Sequence, residues 1–143
     1  MSAAESSKTV LLETNLALVD YYRAAGIVFL GECRIGETVV RSGARWSGPE
    51  GPTQFAAADA AAHAEITDVS FRAARALLGL EQAEVARLAD VGVDTVKGLE
   101  RGEGGGRHYG LLRGWYEKRG VEFTGWGDIS TRKFFGVGVR WRE

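Results

Sequence analysis

Residues 70–102 read SFRAARALLGLEQAEVARLADVGVDTVKGLERG, three short helix patterns joined by turns too tight for anything but a compact helical unit. Phe71, Ala74, Leu77 and Leu78 fall on one face at helical spacing. The pattern stops at Gly79, a residue that accepts the left-handed conformation in which helices often end. Glu81 and Gln82 open a second helix with Val85, Leu88 and Ala89 inward and the small Ala86 allowing another helix close by. Asp90-Val91-Gly92 makes a turn. A third helix starts at Val93, has Val96 and Leu99 apolar three apart, and ends in a cationic turn and a glycine, Arg101-Gly102.

Two short helices joined by such a turn, the second with an open outer face, form the geometry that lays a helix into a DNA major groove. At these residues the chain resembles the helix-turn-helix family of lambda repressor and Cro, the XRE family. The run RALLGLEQAEVARLADVGVDTVKGLERG follows the pattern RxxxGxxQxxLAxxxGVSxxTIxxxERG, with Gln82, Ala86, Val91, Thr95 and the Leu99–Gly102 ending in register. The resemblance implies a lambda-repressor-like helical core. It also implies that Gln82, opening the second helix, touches a phosphate, and that Val93, Asp94, Thr95 and Lys97 face base edges. Arg101 and Arg107 would reach flanking phosphates.

The sequence departs from that pattern where contacts would form. Asp90 replaces the turn glycine, and Gly92 stands in place of a capping serine. Gly98 lies inside the third helix, where it costs up to ~1 kcal/mol relative to alanine. Val93 can offer only apolar contact, for instance to a thymine methyl. Asp94 has the wrong sign for phosphate but complements the dipole of a helix's first turn.

Charge distribution bears on the same point. From Thr67 to Gly106 there are five Lys or Arg against seven Asp or Glu, net −2; from Arg107 to Glu143 there are eight against four, net +4. Phosphate neutralisation supplies most non-specific DNA affinity, so the helical unit alone should bind weakly, with a shallow salt slope.

The whole chain, 143 residues with 45% hydrophobic and 26% charged, suits one domain or two very small ones. Its net charge of −1 points neither to nucleic acid nor to a membrane. The one cysteine, Cys33, excludes an internal disulfide, and the absence of a charged-then-apolar leader leads to the expectation of a cytoplasmic protein. The apolar run Ile27 to Leu30 is far too short to span a bilayer.

The expected organisation follows the chain. Residues 1–52 form an N-terminal unit: a frayed start, a helix from Thr14 to Gly26, a strand from Ile27 to Leu30 and its hairpin partner from Thr38 to Trp46. Residues 53–66, after a linker holding both prolines, form an alanine-rich connecting helix. The helix-turn-helix core takes residues 67–106. Residues 107–143 form a C-terminal unit with a helix from His108 to Arg119 burying Leu111, Leu112, Trp115 and Tyr116, then strands Val121 to Thr124 and Phe134 to Trp141. The expected fold class is mainly α with a small β component.

The two terminal units repeat each other. Sliding Leu18 onto Leu112 also pairs Tyr22 with Tyr116, Gly26 with Gly120, Phe29 with Phe123, Gly31 with Gly125 and Ile35 with Ile129. With one extra residue in the second copy, Gly43 meets Gly138, Arg45 meets Arg140 and Trp46 meets Trp141. A helix with one hairpin cannot bury its own apolar face, whereas two copies can join their hairpins into a four-stranded sheet about a pseudo-twofold axis. One chain would then carry one DNA-reading helix, so an inverted-repeat operator would need a homodimer.

Catalytic, metal and cofactor sites are not expected. His63 and His108 lie far in sequence from Cys33 and from any carboxylate pair at ligand spacing. Gly102, Gly104, Gly105 and Gly106 lack the Lys-Ser/Thr of a phosphate loop and read as a joint. Trp115, Trp126 and Trp141 read as core ahead of a base-stacking platform. The expectation is a repressor bound to double-stranded DNA. The alternative is an antiactivator that binds another regulatory protein, or an antitoxin, on the same scaffold.

Overall fold

The structure, a computed structural model, describes residues 3–48, 63–103 and 106–143. Its elements in chain order are α1 (Ala3–Ala24), β1 (Ile27–Glu32), β2 (Val40–Trp46), β3 (Ala64–Glu65), α2 (Phe71–Leu78), α3 (Gln82–Ala89), α4 (Val93–Glu100), α5 (Arg107–Lys118), β4 (Val121–Asp128) and β5 (Lys133–Trp141).

Among the described residues the fold is mixed α/β, with five helices and a five-stranded antiparallel sheet. This corrects the expectation of a mainly helical protein. The strands run longer than the sequence suggested because Gly125, Trp126, Gly127 and Asp128 continue β4 instead of forming a loop. Gly125, at φ 131, is the one residue of β4 opposite a bulge of β5 at Gly136 and Val137. β5, whose Gly138 lets the backbone of β2 approach closely, is the centre of the sheet: β4 lies along one side of it, with β2 and β3 along the other.

Two further expectations change. The N-terminal helix begins at Ala3, well before Thr14, the added turns being rich in good helix formers such as Ala3, Ala4, Glu5 and Leu11. The connecting helix falls mostly on residues outside those described, but its end, Ala64–Glu65, is a strand paired with Phe135 and Phe134.

The two terminal units correspond in detail. β2 pairs with β5 so that Gly43 faces Arg140 and Arg45 faces Gly138, with Ala44 against Val139 between them. Because Gly43 and Gly138 are matched positions, as are Arg45 and Arg140, this register is that of a pseudo-twofold axis at Ala44–Val139. Each glycine admits the other strand: an added methyl at Gly43 would strike the Val139 carbonyl and Arg140 Cα, and one at Gly138 the Ala44 carbonyl and Arg45 Cα.

The matched details extend outward from the axis. Gly26 and Gly120 end their helices at φ 94 and 91, and their carbonyls accept from Ser47 N and Arg142 N. Tyr22 meets Phe29 edge-on at 6.0 Å and 83°, and Tyr116 meets Phe123 at 6.3 Å and 83°. Both second strands bulge at the same place, Arg41 and Ser42 opposite Gly31 and Gly136 and Val137 opposite Gly125, with Arg41 and Gly136 in the left-handed conformation. Ion pairs also link the copies, Arg41 to Glu122 at 2.8 Å and Arg140 to Glu32 at 3.4 Å.

The core lies on the C-terminal side. Phe71 and Ala74 of α2, Val85, Ala86 and Ala89 of α3, and Val96 and Leu99 of α4 are buried together with Leu112, Tyr116, Val121 and Val139. Phe71 is the hub, its ring within 6.0 Å of the rings of Tyr109, Tyr116 and Phe123. Two residues expected to be inside are exposed: Leu88 and Leu111 each sit one helical position away from the buried stripe, beside Ala89 and Leu112.

Candidate functional site

The candidate nucleic-acid interface is the outer side of α3 and α4, and its geometry starts at the caps. Ser70 accepts from Ala73 N to open α2, and Gly79 closes it in the left-handed conformation at φ 69. α3 opens with the Glu84 carboxylate accepting from Glu81 N at 3.1 Å. It closes at Asp90, which holds the left-handed φ of 56 that the resemblance gives to glycine. Asp tolerates that region better than most residues, though at a cost of roughly 1 kcal/mol.

Three residues then fix α4 against α2 and α3. Glu100, its side chain only 1% exposed, accepts from Arg75 Nε at 2.9 Å and from Gln82 Nε2 at 2.7 Å. A buried carboxylate left without such partners would be strongly destabilising, so the triangle sets the distance between the helices. Arg75 also donates to the Leu80 carbonyl at 3.1 Å, tying the α2–α3 turn to the same cluster. Tyr116 lies beside it with a buried hydroxyl that has no hydrogen-bond partner. Its pKa is raised above the usual tyrosine value, chiefly by burial, with the charge of Glu100 adding and that of Arg75 opposing.

With Val96 and Leu99 buried, helical geometry turns Val93, Asp94 and Lys97 outward, and all three are exposed. Thr95 is half-buried beside the Gly92 cap. Arg101, just past the helix, is exposed but held by Glu103 through Nε at 3.2 Å and Nη2 at 3.0 Å. Its pKa is raised first by that hydrogen bond, with Asp94 contributing at longer range. Arg107 is exposed at the start of α5, a separate element.

Val93, Asp94, Lys97 and Arg101 therefore share one stripe of α4 and its C-terminal turn. Gln82 is turned to Glu100. The residues that sequence reasoning assigned no role are Arg75 and Glu100, although both stand in the quoted motif. Their spacing in the chain gives no sign of a pair, because the contact exists only once α2 and α4 are folded together.

Behind these helices a polar cluster anchors the segment entering α2. The Tyr109 hydroxyl donates to Asp68, and Arg113 bridges Asp68 at 3.1 Å and Glu117 at 3.0 Å. Burial, then the hydrogen bond to Asp68, raises the Tyr109 pKa. Among the described residues no group of His, Cys, Asp and Glu is placed to hold a metal ion, and no helix is long and apolar enough to cross a membrane. Compared with protein-family models, with curated proteins and with solved structures, the chain matches none of them.

Proposed function

We propose that this chain is a sequence-specific DNA-binding regulator of the helix-turn-helix type, acting in the cytoplasm as a repressor, with α4 entering the major groove. The observation that carries the reading is the fixed presentation of α4. Its inner residues are buried, Glu100 clamps it to Arg75 and Gln82, and Val93, Asp94 and Lys97 face outward as one stripe. Lys97 supplies a phosphate or base contact and Val93 an apolar one. Thr95 serves at the edge of the stripe. Gln82, through Glu100, sets the angle at which α4 is offered, and Arg101 and Arg107 extend the contact to flanking phosphates. The basic C-terminal unit, net +4 from Arg107 to Glu143, supplies attraction that the helical core lacks. No catalytic, metal or cofactor role is proposed.

The test is a gel shift with DNA from upstream of the chain's own coding sequence at two salt concentrations. Binding that falls several-fold on Lys97→Ala and weakens as salt rises supports the reading. Absence of any shift at low salt rejects it.

A second reading has its own observation. Arg101 is closed by Glu103, and Asp94 stands where phosphate would approach. A surface so arranged suits a basic protein surface better than DNA, in an antiactivator or antitoxin that binds another regulatory protein. In that case Asp94→Lys strengthens DNA binding and abolishes the protein complex, a reversal that the first reading does not give.

A further inference from the structure

Thirteen large apolar residues are exposed among those described, and eight of them belong to α1, β1, β2 and the loop between the strands. The imbalance is not a matter of composition, because the C-terminal unit carries the same residues at the matched positions. Leu18, Tyr22 and Phe29 are 49%, 40% and 46% exposed. Their counterparts Leu112 and Tyr116 are 0% exposed and Phe123 is half-buried, all on the side covered by α2. The N-terminal unit thus repeats a surface that is covered in its twin and leaves it open.

The same region ends the sheet. Among the described residues β1 pairs with β2 alone. Ser47 N donates to the Gly26 carbonyl, and hydrogen-bonded pairs alternate along an antiparallel ladder, so Val28 and Leu30 also bond inward. The backbone groups of Ile27 and Phe29 therefore point out of the free edge. That edge, IVFL, carries neither proline nor lysine nor an inward charge, the devices by which edge strands avoid pairing.

We propose that two copies of the chain associate through this face, β1 pairing antiparallel with β1 of the second copy while the two α1 helices close over Tyr22 and Phe29. A second copy is the occupant that the geometry favours because the fold already contains the same kind of joint. β2 and β5 meet edge to edge, antiparallel and about a pseudo-twofold axis, and the new pairing continues that sheet. Pairing centred on Phe29 sets Glu32 against Gly26 of the other copy, so no like charges face each other. The other outer strand, β4, is a poorer partner: Val121 is fully buried and Phe123 is packed against Phe71 and Tyr116. The assembly presents two α4 helices related by a twofold axis, as an inverted-repeat site requires.

The test is the mass of the full chain by sedimentation equilibrium from low to tens of micromolar, in the absence of DNA. The expected result is twice the 15.4 kDa of one chain. Phe29→Lys and Leu18→Glu, each at an exposed position, should reduce it to one chain, while circular dichroism and melting temperature stay near those of the parent. Leu111→Glu, at a site 43% exposed in the C-terminal unit, should leave the mass doubled. Leu18→Glu lies outside the strand and keeps the test valid should Phe29→Lys disturb folding. A single-chain mass throughout, a mass that climbs past two chains with concentration, or a dimer untouched by Leu18→Glu would overturn the proposal. The DNA-binding reading would survive any of those outcomes, since no DNA is present.

Discussion

The N-terminal and C-terminal units of this chain share a local geometry and differ in what surrounds it. Tyr22 on Phe29 and Tyr116 on Phe123 make the same edge-on contact, under helices that end at glycines with nearly the same φ. Yet Tyr116 is sealed from water and Tyr22 is not. The shape of each unit is set by its own short-range sequence. Its burial, and so its energetic weight, is set by whether the three-helix core α2–α4 sits on top.

Truncation of matched residues should separate the two units most. Tyr116→Ala and Leu112→Ala should each cost about 3–5 kcal/mol, the range for large-to-small changes in a packed core. For a chain of this size that is a fall of roughly 10–15 °C in melting temperature. Tyr22→Ala and Leu18→Ala, at half-exposed sites, should each cost under ~1 kcal/mol in dilute protein. Equal losses at the two sites would mean that the N-terminal face is covered in the single chain.

The joint between the units is the next point of attack. Gly43→Ala and Gly138→Ala drive a methyl into the backbone of the facing strand, and each should cost up to about 3 kcal/mol. Because the register is symmetric about Ala44–Val139, the two losses should be close to each other in chemical-denaturation curves. A large loss from one glycine and none from the other would remove the pseudo-twofold joint.

Smaller effects sharpen the picture on the C-terminal side. Tyr116→Phe deletes a buried hydroxyl with no partner and should gain ~1 kcal/mol, whereas Tyr22→Phe should change nothing measurable. The pH dependence carries the same contrast. The pKa of Tyr116 in the folded chain lies above the ordinary tyrosine value of 10.0, so the folded state holds the proton more tightly than the unfolded one. The associated stability is fully present below about pH 10 and is lost as pH rises beyond it. Tyr116→Phe should flatten that alkaline decline in melting temperature.

The smallest expected effects lie in α3 and α4. A methyl at Gly98 would meet only the Glu103 carboxylate, at an ordinary contact distance of 4.0 Å, so Gly98→Ala should gain up to ~1 kcal/mol by helix propensity. Asp90→Gly should gain roughly 0.5–1 kcal/mol by relieving a left-handed non-glycine residue. Thermal melts would check both, and a loss in either would show that the residue is held by contacts beyond its own backbone.

Much of the three-helix core was legible in the chain. The apolar spacing of Phe71 and Ala74, the stop at Gly79 and the Asp90–Gly92 turn place the helices where they stand, because helix periodicity and caps are local signals. The repeat of tyrosine, phenylalanine and tryptophan was readable for the same reason, since matched spacing needs no tertiary context. The balance of helix and sheet was not readable. β4 runs through Gly125 and Gly127, and β3 borrows two residues from an alanine-rich stretch, only because β5 offers both an edge to pair with. In the site, the stripe of Val93, Asp94 and Lys97 follows from helical geometry. The Arg75–Glu100–Gln82 triangle and the Arg101–Glu103 closure depend on helices and turns meeting in space, and spacing along the chain carries no trace of them.

The proposed division between a DNA-binding unit and a bracing unit can be put to one experiment. Amide resonances of the labelled chain would be followed by heteronuclear NMR while DNA from its own upstream region is added. The amides of Val93, Asp94, Thr95 and Lys97 are expected to shift in a saturable way, with weaker changes near Arg101 and Arg107 and none along α1. Shifts confined to α1 and β1, or a spectrum unmoved by DNA at low salt, would contradict that division.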